Sequence, residues 1–376
     1  MLKIFVTGDN HIGLKYASYK EKSKLIAARI SAFENMVETA NRENCGLLVI
    51  TGDLFDNTKG ITQRELKSLL DILYDFNGTV AVLPGNHDYY DRDVKVWQDF
   101  NKLTAGRGNI MLLTEYAPNS LKVDGEDVVL YPAFCKKKHS EAGQNNLGWI
   151  KEQNLITDAT YRIGIAHGAV EGETIDSEGQ YFLMRRKELE SIPVDVWLIG
   201  HTHVPFPRNL KTDEYTEGER IFNAGTHVQT DVACNTEGCC FIIEISEDKA
   251  VRAKKVISGN VRFFRREIAV TAGEMQNKLI GALADIPDNS VVEIILNGAV
   301  TAEEYDIRAD IIENALKRFI DRQYNDSNLS KLISKKMIEE EFPETSFSAT
   351  LLTELMAEPK EAQLAYELLK SLKEGK

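Results

Sequence analysis

Five short apolar runs constrain the fold of this 376-residue chain more than any other feature. They are Ile4–Val6, Leu47–Ile50, Val80–Leu83, Ile163–Ala166 and Val196–Ile199. Most are rich in β-branched side chains, and each is followed within a few residues by glycine together with Asp, Asn or His. Runs so short, with that composition, read as buried strands and not as helices. Between the first two, Lys24–Asn44 places Leu25, Ala28, Ala32, Phe33, Met36, Val37 and Ala40 at helical spacing. Gln63–Phe76 repeats the pattern with Leu66, Leu69, Leu70 and Leu73. Alternation of strand and helix implies a largely parallel sheet flanked by helices.

From about Leu112 to Ile257 helical patterns thin out. The runs Val128–Tyr131, Cys239–Ile245 and Val251–Ile257 point to a second sheet packed on the first. Residues 1–264 therefore read as one α/β domain with a two-sheet α/β/β/α core. After Arg266 the chain restarts with a strand at Glu267–Val270, a helix near Ala272–Ala284, a strand at Val291–Leu296 and a helix near Ile307–Phe319. Two more helices are expected near Ser346–Met356 and Glu361–Leu372. Residues 265–376 thus read as a small separate α+β domain.

Seven histidines are present, and six follow an apolar run or sit in a glycine-bounded turn. The segments are TGDNHIG (Asp9, His11), TGDLFD (Asp53, Asp56), PGNHD (Asn86, His87), AHG (His167), GHTH (His201, His203) and NAGTH (His227). Polar side chains at the carboxyl ends of parallel strands converge on one crevice, where open α/β sheets bind ligands. Any one of these segments alone is more often structural. Unrelated core histidines would not fall one after another behind successive strands. Four imidazoles, two carboxylates and one amide suit manganese, iron or zinc, are too nitrogen-rich for calcium, and lack the thiolates of a structural zinc site. Seven ligands exceed what one open catalytic ion needs. Two ions about 3.5–4 Å apart, sharing a carboxylate, would use them all.

This ordered set resembles the calcineurin-like metallophosphoesterases over roughly residues 3–245, and within them the SbcD-type DNA-repair nucleases. GDLFD, PGNHD, the turn FNAGT and the stretch EEEFPETSFSATLLTEL are the points of similarity. The last is similar to that group's small capping domain, which 265–376 would form. The resemblance implies that Asp9, His11, Asp53 and His203 hold one ion, and that Asp53, Asn86, His167 and His201 hold the other. Manganese is the first expectation, with iron or zinc as the other candidates. It further implies that His87 assists the leaving oxygen and that the Asp56 acid orients His87. The activity implied is exonuclease and endonuclease cleavage of DNA. The partners implied are DNA, a second copy of the chain (through helices such as Lys24–Asn44 and Val94–Leu103) and an SbcC-type coiled-coil ATPase. A phosphatase or small-molecule phosphodiesterase, and a non-catalytic scaffold, are the competing readings.

Charge and composition add bounds. A net charge of −13 argues against a protein that coats nucleic acid, although bound cations reverse the local charge of a site. Within Arg252–Arg266 six cations occur without an acid, interleaved with Phe263 and Phe264. Arg262, Arg265 and Arg266 are the candidates there for a phosphate-tracking stripe, the alternative being a solvated strand face. No apolar run approaches the roughly 20 residues that cross a bilayer. MLKIFVTGD reads as a strand and not as a signal peptide. Five cysteines lack the spacing of a disulfide framework, and Cys239 and Cys240 read as core thiols. A reducing, cytoplasmic compartment without membrane attachment is the expectation.

Overall fold

The computed structural model describes residues 1–373 except 153, 154, 156, 157, 174, 175, 177 and 178. The chain divides into two compact units, Met1–Phe263 and Phe264–Lys376.

In the first unit the five runs are strands, but they belong to two sheets. Leu2–Thr7, Leu47–Ile50, Thr79–Val82 and Ile110–Leu112 pair in parallel. Tyr161–His167 and Val196–Gly200 lie in a second sheet, parallel to each other and to Glu126–Ala133 and Ile221–Asn223. The inner faces of both sheets supply one core, with Ile4, Val6, Leu47 and Val49 packed in a cluster with Leu130, Ile163, Ile165 and Leu198. The outer face of the first sheet (Phe5, Leu48, Ile50, Val82) meets the helices Lys22–Arg42, Gln63–Tyr74 and Lys95–Thr104. The outer face of the second (Val129, Tyr131, Trp197, Ile199) meets Ile150 and Leu189 of two short helices. Each strand is thus apolar on both sides, the reason its sequence reads as a continuous run. Each fully buried aliphatic side chain contributes about 1.5–3 kcal/mol relative to exposure. The fold is the α/β/β/α arrangement.

Some details differ from the sequence reading. Cys239–Ile245 and Val251–Ile257 lie in the first sheet, where Leu2 pairs with Ile245 and Val6 with Phe241 in antiparallel register. An all-apolar run reports burial of both faces and does not name its neighbour. The strand expected at Glu267–Val270 begins at Arg262 and ends at Thr271.

The second unit has a three-stranded sheet ordered Arg262–Thr271, Ser290–Val300, Asp321–Lys331. Met275–Leu283 and Arg308–Leu316 share its core through Leu279, Leu283, Ile312 and Leu316. The helix expected at Ile307–Phe319 spans Arg308–Leu316, and a short helix that the sequence reading did not contain, Ala302–Asp306, precedes it. The helices Lys335–Glu341, Phe347–Leu355 and Pro359–Lys373 form a further small core around Ile338, Leu352 and Ala362. Asp321–Lys331 has no counterpart in the sequence reading. Its side chains are mostly polar, and its order comes from parallel main-chain pairing with Ser290–Val300. No described helix is long and apolar enough to cross a membrane.

Candidate metal centre

Five turns at the carboxyl ends of strands from both sheets build the crevice. Three follow the first sheet's strands and carry Asp9 and His11, Asp53, and Asn86 with His87. Two follow the second sheet's strands and carry His167, and His201 with His203. Because the sheets pack face to face, donors more than a hundred residues apart come together.

The donor atoms converge tightly. His11 Nε2 lies 2.8 Å from His203 Nε2. Asn86 Oδ1 lies 2.9 Å from His167 Nε2 and 3.0 Å from His201 Nδ1. Asp53 Oδ2 sits between the two groups, 3.4 Å from His167 Nε2 and 4.0 Å from His11 Nε2. Asp9, His11 and His203 form one set with ligand atoms within 4.8 Å of one another, and Asp9, Asp53 and His167 another. A third set within that distance is His11, Asp53 and His87. All seven donors expected from the sequence meet in this crevice, with Asp53 at its middle.

The main chain pays for this closeness in conformation. Asp9, His11, Asp53 and His203 have φ of 48°, 43°, 51° and 55°, and His201 has 124°. Left-handed conformations in residues with a Cβ cost of order 1–3 kcal/mol each, and they persist where surroundings over-determine them. Here hydrogen bonds do so. The His201 amide donates to Asp9 Oδ1 and Oδ2 at 3.0 Å, and the His87 amide donates to Asp53 Oδ1 at 2.8 Å. Two glycines make room: a Cβ on Gly52 would lie 2.1 Å from His167 Nδ1, and one on Gly85 would lie 2.2 Å from Asp53 Oδ1.

The donor chemistry fits divalent cations. Asp9 and Asp53 are fully buried carboxylates, and His11 and His203 turn ring nitrogens toward each other. His167 places Nδ1 2.9 Å from the Thr51 carbonyl. With the proton on Nδ1, Nε2 is left as the ligand atom. Burial works against the ionised Asp53 carboxyl, but the imidazoles of His167, His11 and His87 outweigh it and hold the group well below the usual carboxylate range. Burial would lower His167, and the Asp53 carboxylate beside it raises it to about 9. His201 is pushed down to about 4 by burial and by neighbouring His167.

Asp56 acts differently from the sequence expectation. Its main-chain carbonyl, not its acid, meets His87 Nδ1, at 3.0 Å. Its carboxylate lies 3.6 Å from His11 Nδ1 instead.

Three supporting residues escaped the sequence reading. Asp88 is buried and accepts from the amides of Gly85 at 2.7 Å and Phe55 at 3.0 Å, tying two ligand turns together. Burial and the Asp53 charge raise its carboxyl to about 7. Arg29 is 1% exposed and makes no ion pair among the described residues. Its guanidinium donates to the Asn10 carbonyl at 2.7 Å, the Tyr16 hydroxyl at 2.8 Å and Thr226 Oγ1 at 3.5 Å, which pins the turn between Asp9 and His11 from behind. A signal was available: Arg29 falls on the buried stripe of its helix, four residues after Leu25 and four before Phe33. Tyr181 stands beside His201 with ring centroids 5.0 Å apart, where nothing in the sequence pointed. His227 is no ligand. It is fully buried, with Nδ1 3.2 Å from Asn10 Nδ2 and Nε2 3.2 Å from the Arg29 carbonyl.

The basic segment looks different in three dimensions. Arg262 pairs with Glu237 at 3.0 Å, Arg265 with Glu293 at 3.6 Å and Arg266 with Asp285 at 3.2 Å. Arg252 pairs with Glu244 at 2.6 Å and Lys254 with Glu43 at 3.1 Å. The stripe has no acid of its own and takes its acids from elsewhere in the chain.

The family model described as calcineurin-like phosphoesterase matches residues 2–205, a span that holds all seven donors. Among curated proteins, an uncharacterized metallophosphoesterase, YhaO of Bacillus subtilis (strain 168), is 24% identical over 204 residues, covering 52% of this chain and 47% of that protein. The chain thus spans about half the length of the curated relative it matches. Of solved structures, TT1561 of Thermus thermophilus is 10% identical with a TM-score of 0.42, covering 68% of this chain and 99% of that one. A dimetal phosphatase from Danio rerio is likewise 10% identical, with a TM-score of 0.36 over 68% of this chain and 98% of that one.

Proposed function

The chain belongs to the calcineurin-like phosphoesterases, and from that premise we propose that it is a DNA nuclease of SbcD type, hydrolysing phosphodiester bonds at a centre of two divalent ions. The observation that carries the hydrolytic reading is the meeting of seven N and O donors around Asp53, with His87 at the same crevice. Two ions, manganese foremost and iron or zinc otherwise, would sit on Asp9, His11, Asp53 and His203 and on Asp53, Asn86, His167 and His201, supplying Lewis acidity and a water acidified towards about pH 7. His87, with Nδ1 against the Asp56 carbonyl, keeps Nε2 for proton exchange with the leaving oxygen. Asp9 and Asp53 do double duty, since the amides they accept from hold the His201 and His87 turns in place.

The DNA reading is supported by the motifs GDLFD and PGNHD and by the ending EEEFPETSFSATLLTEL. One observation favours a smaller ester instead: Arg265 and Arg266 are engaged by Glu293 and Asp285. A scaffold role sits poorly with retention of His87 and every donor. A manganese titration against labelled single-stranded and double-stranded DNA, beside bis(p-nitrophenyl) phosphate, tests the choice. Cleavage of DNA is the expected result; hydrolysis of the small diester alone moves the assignment to a phosphatase or small-molecule phosphodiesterase.

The proposal extends to a homodimer and an SbcC-type coiled-coil ATPase partner. The helices Lys22–Arg42 and Lys95–Thr104 bury their apolar residues in their own core, so a dimer through them would use their polar faces. Light scattering across protein concentrations tests the dimer, and a concentration-independent monomer removes it.

A further inference from the structure

Beside the metal ligands the first unit has a cavity of about 860 Å³ whose wall includes His201 and His203. The size is right for an organic ligand, for which sites of roughly 300–1,000 Å³ are usual. Its lining also includes Arg208, Asn235, Thr236 and Lys255. The 230–237 loop is tied to the ligand turn, because Thr236 Oγ1 donates to the His203 carbonyl at 3.3 Å. Whatever fills the cavity therefore lies next to a metal ligand.

The charges there are unequal in availability. Arg262 also lines the cavity, but Glu237 holds it at 3.0 Å. Asp231 is occupied within its own loop, accepting from the amides of Ala233 at 2.8 Å and Cys234 at 3.1 Å. Arg208 and Lys255 make no ion pair among the described residues. Two cations without an ion pair among the described residues, together with Asn235 and Thr236, line a space whose wall includes His201 and His203.

We infer that this cavity is a subsite for a backbone phosphate next to the scissile one in a polynucleotide strand, with Arg208 and Lys255 as its cations. The inference rests on the nuclease reading and sharpens it. A simple ester is satisfied at the metal centre alone. A strand continues past it, and its next phosphate needs a cation to neutralise it. The cations that select for a strand are then Arg208 and Lys255, not Arg265 and Arg266.

The test compares wild type with the double variant Arg208→Ala/Lys255→Ala on a single-stranded oligonucleotide and on bis(p-nitrophenyl) phosphate, across salt concentrations. The expected result is a KM for the oligonucleotide raised about tenfold or more, the loss of two charge-assisted phosphate contacts, with kcat and small-diester hydrolysis within about twofold of wild type. The slope of log affinity against log salt should flatten by about 1.4, near 0.7 per lost contact on a single strand. Fluorescence anisotropy of the labelled oligonucleotide in a His87→Ala background reads the same slope without turnover. A wild type that cleaves the oligonucleotide beside a double variant with unchanged KM and slope overturns the subsite and leaves the nuclease reading standing. Equal loss on both substrates, with an unchanged slope, also overturns it. Absence of DNA cleavage and binding by the wild type overturns the nuclease reading and the subsite together.

Discussion

The metal crevice and the basic segment Arg252–Arg266 were both conspicuous in the sequence, and the structure treats them differently. In the crevice, the donors meet where their local motifs suggest, because a strand end and a glycine turn fix where the side chain goes. In the basic segment, the absence of acids within it proved uninformative: Glu244 faces Arg252 from the adjacent strand, and Glu43, Glu237, Asp285 and Glu293 arrive from farther along the chain. Position is a local property of the backbone, whereas net charge at a surface is summed over everything the fold brings near. Motifs that work by position are therefore legible in one dimension, and motifs that work by charge are not.

The sharpest break of this comparison is Asp53→Ala. Removing the carboxylate between the two donor groups should empty both ion positions and lower turnover by more than about 10³-fold, over 4 kcal/mol of barrier. Elemental analysis after gel filtration checks it, and a variant that retains two ions places the bridging role elsewhere. His87→Ala should instead keep both ions while losing about 10²–10⁴-fold in kcat, the range for general acid–base help. Loss of metal from that variant would make His87 a ligand, a role its closeness to His11 and Asp53 permits.

Arg29→Met probes the support behind the ligands. It strands the Asn10 carbonyl and the Tyr16 hydroxyl, and metal affinity should fall about 10–100-fold, as for outer-shell partners in general. Calorimetric titration of the folded variant measures this; unchanged affinity with a lowered Tm would reduce Arg29 to a purely structural role.

Acidity gives a smaller, graded test. His167, raised to about 9, holds a proton at neutral pH in the metal-free protein and must release it to bind an ion. Metal affinity should therefore rise with pH, by up to about tenfold per unit, and level off near pH 9. His201, lowered to about 4, does not compete at neutral pH. Because its folded value lies below its unfolded one, its contribution to metal-free stability is present above about pH 6.5 and is lost as pH falls towards 4. His167 has the opposite sign: its contribution is full below about pH 6.5 and is lost as pH rises through 9. Titrations in buffers of different ionisation enthalpy count the released proton, and pH-independent affinity would contradict the assignment.

The smallest effect belongs to Arg265→Ala/Arg266→Ala. Both side chains are more than a third exposed, and surface pairs are worth about 0–1 kcal/mol. Activity on DNA should stay within about twofold. A larger loss confined to DNA would restore the stripe as a contact surface.

Much of the architecture and nearly all of the centre could be read directly. The length and composition of the apolar runs specified strands, the helical stripe of Leu25 to Ala40 specified a packed helix, and glycine with Asp, Asn or His after each run marked the donors. Three things were out of reach. Which sheet a run joins depends on partners, so Cys239–Ile245 was misplaced beside the wrong neighbours. A strand as polar as Asp321–Lys331 is ordered by main-chain hydrogen bonds that side-chain patterns do not record. Asp88 and Arg29 lie in view in the sequence, but their roles consist of hydrogen bonds to other turns.

The sequence by itself therefore determined most of the elements and marked the seven candidate donors, because strand propensity, turn chemistry and ligand type are properties of residues and their near neighbours. Only the tertiary structure decided that the Asp56 carbonyl and not its acid meets His87, and that, among the described residues, Arg208 and Lys255 make no ion pair while Arg262, Arg265 and Arg266 do. Those are distances between groups far apart along the chain, set by how two sheets pack face to face and by which acid each cation reaches first.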